Sequence, residues 1–162
     1  MFMDLETVKK FLPHRDPFLF IDCIEKLEYP QAEPLNGRFR TLREIVGTQI
    51  VAHYKIKEDM EILKGHFPGN PIVPGVCQIE MMAQASAMSL VGCVEDLENA
   101  SIEVALLGAE TCKFRKPVVP GMELVIYAEC IKSRPPFSTY KCRIEHEGSL
   151  VSQAQVFASC KL

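Results

Sequence analysis

The 162-residue sequence lacks the features that mark membrane, secreted and nucleic-acid-binding proteins. It has no apolar run of about 18 residues, the length at which a membrane-spanning helix is expected. Its N-terminal segment, MFMDLETVKKFLPHRDP, has no apolar stretch of the kind that a signal peptide carries. The formal net charge of −3 argues against nucleic-acid binding, which usually requires a basic surface. These absences favour a cytoplasmic protein with no membrane span.

The seven cysteines form no CxxC pair, which argues against a zinc knuckle. Their number is odd, their spacing is irregular, and no export signal accompanies them. We therefore expect reduced thiols rather than disulfides. Five lie in apolar or alternating segments and are expected to be buried: Cys77, Cys93, Cys130, Cys142 and Cys160.

The pattern along the chain predicts one domain over residues 1–162, without repeats or low-complexity tracts. A helix is predicted over 75–91, apolar on nearly every face and capped by Gly92, so other structure should surround it. Strand structure in 39–57 should break near Gly47. The other predictions are a helix over 4–11, a loop over 28–38, and strands over 18–27, 102–116, 123–131, 138–146 and 149–160. Short strands after one buried helix indicate an α+β fold with an antiparallel sheet curled around that helix.

The segment KGHFPGNPIVPGVCQIEMMAQ, residues 64–84, holds the residues most suited to chemistry. Glu80 lies inside the apolar helix, so its carboxyl must be paired, protonated or functional, because an isolated buried charge is costly. Gln84 lies one turn further on the same face and can orient it. Alternatively, Glu80 reaches solvent through a gap in the surrounding structure.

His66 lies in a loop that proline and glycine make rigid, where an imidazole can act as a base. The alternative is a histidine that only caps a backbone carbonyl. Gly75 opens the helix, and its free N–H can stabilise an oxygen that gains negative charge, although many helices begin in this way without a ligand. Structural or solvent roles are expected for the remaining histidines: His14, His53 and His146.

Three blocks of sequence resemble the (3R)-3-hydroxyacyl-acyl-carrier-protein dehydratases of the FabZ type. They are LPHRDPFLFID over 12–22, GHFPGNPIVPGVCQIEMMAQ over 65–84 and CKFRKPVVPGMEL over 112–124. The resemblance implies a hot-dog fold, in which a curved antiparallel sheet wraps one central helix. It also implies a homodimer as the minimal unit, with a trimer of dimers as an alternative, and an active site shared between two subunits.

The implied reaction removes water from a 3-hydroxyacyl thioester and gives a trans-2-enoyl thioester. By resemblance, His66 removes the C2 proton and Glu80 protonates the departing 3-hydroxyl. Gly75 and Val76, at the helix start, bind the thioester oxygen. No cofactor and no metal are implied. Three helix residues are candidates for the wall of an acyl tunnel, although core packing explains them equally well: Ile79, Met82 and Ala83.

The implied partner is acyl carrier protein, which is acidic and delivers the substrate. A basic set near predicted strand ends can receive it, although a solvated basic face is an equal alternative. This set comprises Lys113, Arg115, Lys116, Lys132 and Arg134.

The chain departs from the family pattern in a long segment between the first strand and HFPG, and in Asp16, where an aromatic residue is frequent. No tunnel-gating aromatic residue can be assigned. Three other functions stay open: a bifunctional dehydratase and isomerase, a hot-dog thioesterase, and a non-catalytic acyl-binding subunit. Glu80 argues against the first, which usually has aspartate there. The pairing of His66 with Glu80 argues against the other two.

Overall fold

A computed structural model describes residues 2–31 and 38–162 and consists of one antiparallel sheet with a long helix against it. The six strands are ordered β1-β2-β4-β5-β6-β3 across the sheet. The helices are α1 (Leu5–Phe11), α2 (Glu61–Gly65) and α3 (Gly75–Ala87), followed by a 3₁₀ helix (Met88–Cys93). The strands are β1 (Cys23–Glu28), β2 (Gln49–Lys55), β3 (Glu103–Phe114), β4 (Glu123–Arg134), β5 (Phe137–His146) and β6 (Ser149–Lys161).

The sheet curls around α3, as the sequence predicts. The helix contacts all strands from β2 to β6, and Met81 and Met82 are completely buried on it. Strands β4 and β5 alternate between buried and more exposed residues, so that one face of each faces the helix. The predicted α+β hot-dog architecture is therefore confirmed.

The helix is not uniformly apolar, because Gln78, Gln84 and Ser86 are buried in it. It is also shorter than predicted, since its α-helical part ends at Ala87. The predicted cap Gly92 lies inside the following 3₁₀ helix instead. There its N–H donates to the Tyr29 hydroxyl at 2.6 Å.

The first strand begins at Cys23 and not at residue 18 as predicted. Residues 18–20 are apolar like a strand, but two of their backbone groups bond to a side chain, and the Phe18 N–H donates to the Arg15 carbonyl. Gln84 Nε2 donates to the Phe18 carbonyl at 2.8 Å, and Gln84 Oε1 accepts from the Phe20 N–H at 2.8 Å. One buried amide thus replaces a strand pairing here.

The region 39–57 contains one strand, β2, preceded by a turn that the sequence did not predict. Glu44 accepts bonds from the backbone N–H and hydroxyl of Thr41, which holds this turn closed. The strand structure predicted before Gly47 is absent, since β2 begins at Gln49, just after Gly47 with its positive φ of 89°. Most of the loop predicted over 28–38 lies outside the described residues. Helix α2 was not predicted from the sequence.

Strand β3 is an edge of the sheet and pairs only with β6 among the described strands. It is exposed along much of its length, and Leu107 is 56% exposed. Such an edge offers unpaired backbone groups to another strand. In the described part of the chain, the helices are all too short or too polar to cross a membrane.

Candidate functional site

Two cavities lie against α3, one at its N-terminal end and one along its second half. The first has a volume of about 340 Å³ and is lined by His66, Gly75, Gln78 and the chain after β3. The second has a volume of about 280 Å³ and is lined by Glu80, His14 and largely apolar residues. Within one chain, the predicted base and the predicted acid therefore lie in different cavities.

His66 is held at the C-terminal end of α2, where its backbone N–H donates to the Ile62 carbonyl at 3.1 Å. Its Nδ1 lies 2.6 Å from the Ile72 carbonyl oxygen, and its ring stacks on Phe67 at 4.1 Å between centroids. A carbonyl oxygen only accepts, so Nδ1 carries the proton and Nε2 carries the lone pair. The carbonyl contact expected of a structural histidine is present, and it also prepares Nε2 to act as a base.

Gly75 and Val76 form the first turn of α3 after Pro74, and their N–H groups have no partner among the described residues. Val76 is 72% exposed, so this end of the helix opens to solvent. A Cβ atom on Gly75 would lie 2.8 Å from Cζ of Phe114. Glycine is thus required for Phe114 to pack against the helix start.

Glu80 is neither isolated nor fully open, because its side chain is 18% exposed and is paired. Gln84 Nε2 donates to Oε1 of Glu80 at 2.9 Å, which confirms the predicted pairing one turn along the helix. The same Gln84 binds the backbone of Phe18 and Phe20. The carboxyl group is consequently fixed to the loop that precedes β1.

His14, for which the sequence predicted only a structural or solvent role, lies beside Glu80. Its side chain is only 20% exposed, and its Nε2 is 3.2 Å from Oε1 of Glu80. Its Nδ1 is buried without a partner among the described residues. The two residues are 66 positions apart, so their spacing gives no signal of the contact. Only the position of His14 inside the first resemblance block could have indicated a role.

The other two histidines have the structural roles expected of them. His53 pairs with Glu25 on the outside of the sheet, and His146 binds the Glu123 carbonyl at 2.8 Å.

The cavity of Glu80 extends along α3 towards Ala87, with Val104–Leu106 of β3 on its opposite wall. Of the three predicted tunnel residues, Ala83 lines this cavity. Met82 is instead completely buried in the core, and Ile79 does not line the cavity. Tyr140 contributes to the cavity wall near Ala87, and its hydroxyl lies 2.9 Å from Oγ of Ser89.

The predicted basic set does not form one surface in the chain. Arg115 and Lys116 line the cavity of His66, directly after Lys113 at the end of β3. The pairing of β3 with β6, of β6 with β5, and of β5 with β4 places Lys113 level with Tyr127 of β4. Arg134 lies seven residues further along β4 than Tyr127. At roughly 3.3 Å per residue, Lys132 and Arg134 lie about 15–25 Å away along the strands. Within one chain, β4 therefore carries Lys132 and Arg134 away from the other three residues, towards the opposite end of the sheet.

All seven cysteines are free thiols, as predicted. Burial raises the pKa of Cys130 and of Cys142 to about 12, and that of Cys93 and of Cys160 to about 11. Of the five cysteines that were predicted to be buried, Cys93 is only half-buried. The other four are buried: Cys77, Cys130, Cys142 and Cys160.

The geometry combines a histidine whose Nε2 is free, unpaired helix N–H groups among the described residues, and a carboxyl group beside an apolar cavity. Such a set can remove a proton next to a carbonyl, stabilise the resulting oxyanion, and protonate a leaving oxygen. It therefore suits elimination reactions of acyl compounds.

Comparisons with known proteins agree with this chemistry. Residues 43–155 match the family model of ApeI-like proteins, described as ApeI dehydratase. A 3-hydroxyacyl-acyl-carrier-protein dehydratase FabZ from Thiobacillus denitrificans is 33% identical over 98% of this chain and 98% of that protein. A FabZ from Erythrobacter litoralis is 35% identical over 96% of this chain and 91% of that protein.

A solved structure supports the fold at a greater distance in sequence. The dehydratase heterocomplex ApeI:P from Xenorhabdus doucetiae includes a chain with a TM-score of 0.66 and 17% identity. The match covers 96% of this chain and 91% of that one. With relatives above 30% identity over nearly its full length, the chain belongs to the FabZ-type hot-dog dehydratases.

Proposed function

We propose that the protein dehydrates (3R)-3-hydroxyacyl thioesters on acyl carrier protein to trans-2-enoyl thioesters in fatty acid biosynthesis. The observation that carries this is the family membership together with the side chains themselves: His66 with its lone pair on Nε2, and Glu80 beside an apolar cavity. The named relatives are dehydratases of this substrate class.

In the proposed reaction, His66 Nε2 takes a proton from C2, and the electrons pass to the thioester oxygen as an enolate. The N–H groups of Gly75 and Val76 bind this oxygen. Glu80 then gives its proton to the C3 hydroxyl, the C3–O bond breaks, and water leaves as the C2–C3 double bond forms. The proton on His66 returns to Glu80 through solvent, so the enzyme is unchanged at the end.

The two groups act across a homodimer in this proposal. Antiparallel pairing of β3 with β3 of a second copy places the end of one strand beside the start of the other. The start, Val104–Leu106, lines the cavity of Glu80, and the end, Phe114, lines the cavity of His66. The exposed edge supports this pairing. His66 of the partner subunit then faces Glu80, and higher assembly into a trimer of dimers uses other surfaces.

Acyl carrier protein docks on Lys113, Arg115 and Lys116 in this proposal. Two of these residues line the cavity of His66, so an acidic partner held there delivers its thioester to the base. Charge reversal at Arg115 should raise KM for the carrier-bound substrate about ten-fold and leave KM for an N-acetylcysteamine thioester unchanged. Arg134→Glu, at the opposite end of the sheet, is the matched control. An equal effect of both variants would contradict this docking site.

The test of the reaction is an assay with (3R)-3-hydroxyacyl thioesters of several chain lengths, in which both the enoyl product and the free thiol are measured. We expect a trans-2-enoyl product for at least one chain length. A shifted double bond would indicate an isomerase, released thiol a thioesterase, and carrier binding without product a non-catalytic subunit.

A further inference from the structure

His14 contacts the acid of the proposed reaction from outside the helix that carries it. The loop between α1 and β1 brings His14 Nε2 to 3.2 Å from Oε1 of Glu80, and both side chains line the same cavity. We propose that His14 is a positioning residue, which fixes the carboxyl group of Glu80 in the orientation that protonates the substrate. This inference rests on the proposed dehydration.

The contacts of Glu80 are all on one oxygen. Oε1 accepts from Gln84 Nε2 at 2.9 Å and lies within bonding distance of His14 Nε2. Oε2 has no partner among the described residues. In this proposal His14 is the second donor to Oε1 beside Gln84, and two donors there favour the tautomer of a carboxylic acid in which the proton is on Oε2. The acidic proton is thereby directed away from the two supporting side chains and towards the cavity.

The orientation of His14 follows from the same contact. In this proposal Nε2 carries hydrogen and donates to Oε1, and Nδ1 is then an acceptor, buried without a partner among the described residues. A histidine with a purely structural role is usually satisfied at both nitrogens when it is buried. Among the described residues, the polar contact of the His14 ring is with Glu80.

Gln84 alone holds Glu80 from within the helix and cannot prevent rotation about its terminal bond. His14 is attached to a different element, and its backbone is bound by Arg15, whose guanidinium donates to the carbonyls of Leu12 and His14. Two donors from two directions define the plane of the carboxyl group. Removing one of them leaves an acid that is present but free to turn, and misalignment of this size lowers the rate.

The experiment compares His14→Ala, His14→Gln and wild type with (3R)-3-hydroxydecanoyl-N-acetylcysteamine as substrate. We expect kcat to fall about ten- to hundred-fold in His14→Ala, with KM within about three-fold, because a general acid contributes roughly 10²–10⁴ to the rate. The amide of His14→Gln can place an N–H near the position of Nε2 and should restore most of kcat. His53→Ala removes a histidine from another histidine–glutamate pair and should have wild-type kinetics.

A second measurement separates positioning from damage to the fold. Exchange of the C2 hydrogens of decanoyl-N-acetylcysteamine in deuterated water needs the base but has no leaving hydroxyl. His14→Ala should exchange at the wild-type rate while its dehydration is slow. The proposal is overturned if His14→Ala dehydrates within about two-fold of wild type, if exchange falls in step with dehydration, or if a folded His14→Gln is as slow as His14→Ala. A wild-type protein without dehydration would instead refute the proposed function.

Discussion

His66 and Glu80 are each fixed through one atom and free at the other. Nδ1 of His66 is bound by the Ile72 carbonyl and Oε1 of Glu80 by Gln84, which leaves Nε2 and Oε2. Binding one atom sets both the orientation and the protonation pattern of the other. In the proposed mechanism, the neighbours of these two side chains therefore orient them for proton transfer before any substrate arrives.

Single substitutions at the two residues test their proposed roles. Glu80→Gln keeps an oxygen that can accept from Gln84 but has no acidic proton, and His66→Ala removes the base. Each should lower kcat by about 10²–10⁴ in steady-state dehydration assays. The unfolding temperature, measured by circular dichroism, should stay within a few degrees of wild type. A rate near wild type in either variant would remove that residue from the mechanism.

At the scale of elements, the alternating strands and the buried helix were predictable, because their patterns reflect local burial. The start of β1 was not, since an apolar run such as Phe18–Phe20 looks like a strand whether its backbone bonds to a strand or to Gln84. The contact between His14 and Glu80 also depends on the folded path of the chain. Residues within one segment were thus predicted well, and contacts between distant segments were not.

Gln84→Ala should destabilise the link between α3 and the loop before β1. It leaves the Phe20 N–H and the Phe18 carbonyl without their partner, at a cost of about 1–3 kcal/mol beyond the loss of packing. The measurement is the free energy of unfolding in urea. Gln78→Ala is the matched control, because Gln78 is on the same helix, is also buried, and its Oε1 has no partner among the described residues. Equal losses in both variants would contradict a specific role for Gln84.

The edge of β3 is tested by a charge in the middle of the strand. Leu107→Lys should prevent pairing with a second copy, because a lysine on an edge strand opposes edge-to-edge association. Light scattering should then show a monomer, and the dehydration rate should fall in parallel. Phe137→Lys is the control, since Phe137 is equally exposed at 56% but lies on an interior strand. A fully active monomer of Leu107→Lys would refute a site shared across β3.

At the scale of the whole molecule, the acid and the base are separated into two cavities although they are only 14 residues apart in sequence. This separation is a property of the whole chain, and in the proposed dimer each copy holds parts of two sites. The seven free thiols are another such property, because four of them are kept protonated by burial in the common core.

Mixing two inactive variants tests the shared site directly. If subunits of His66→Ala and Glu80→Gln are unfolded together and refolded at equal amounts, about half of the dimers are mixed and each has one intact site. Activity should recover to about a quarter of wild type, because that fraction of all sites is intact. The mixture is compared with each variant refolded alone. No recovery in a dimeric mixture would place both residues in a site within one chain.

The buried thiols predict a loss of stability at alkaline pH. Folding raises the pKa of Cys130 and of Cys142 to about 12, so the folded state holds protons that the unfolded state releases from about pH 8.5 upwards. Their contribution is complete below that pH and falls by about 1.4 kcal/mol per pH unit and thiol as the pH rises towards 12. Urea unfolding between pH 8 and pH 10.5 should show this slope. Cys142→Ala should reduce the slope, whereas Cys112→Ala, on the edge strand, is the control. A flat profile would contradict the prediction.

Strand β3 has one cavity at each end, so its length sets the distance between the two cavities. In the proposed dimer, its 12 residues, with irregular register near Leu106 and Lys113, set how far the helix start lies from the acid of the paired copy. Deleting one residue would shorten the strand by about 3.3 Å. It would also turn the following side chains to the opposite face of the sheet. In the proposed site, the number of residues in β3 is therefore as much a part of the geometry as the identity of the acid and the base.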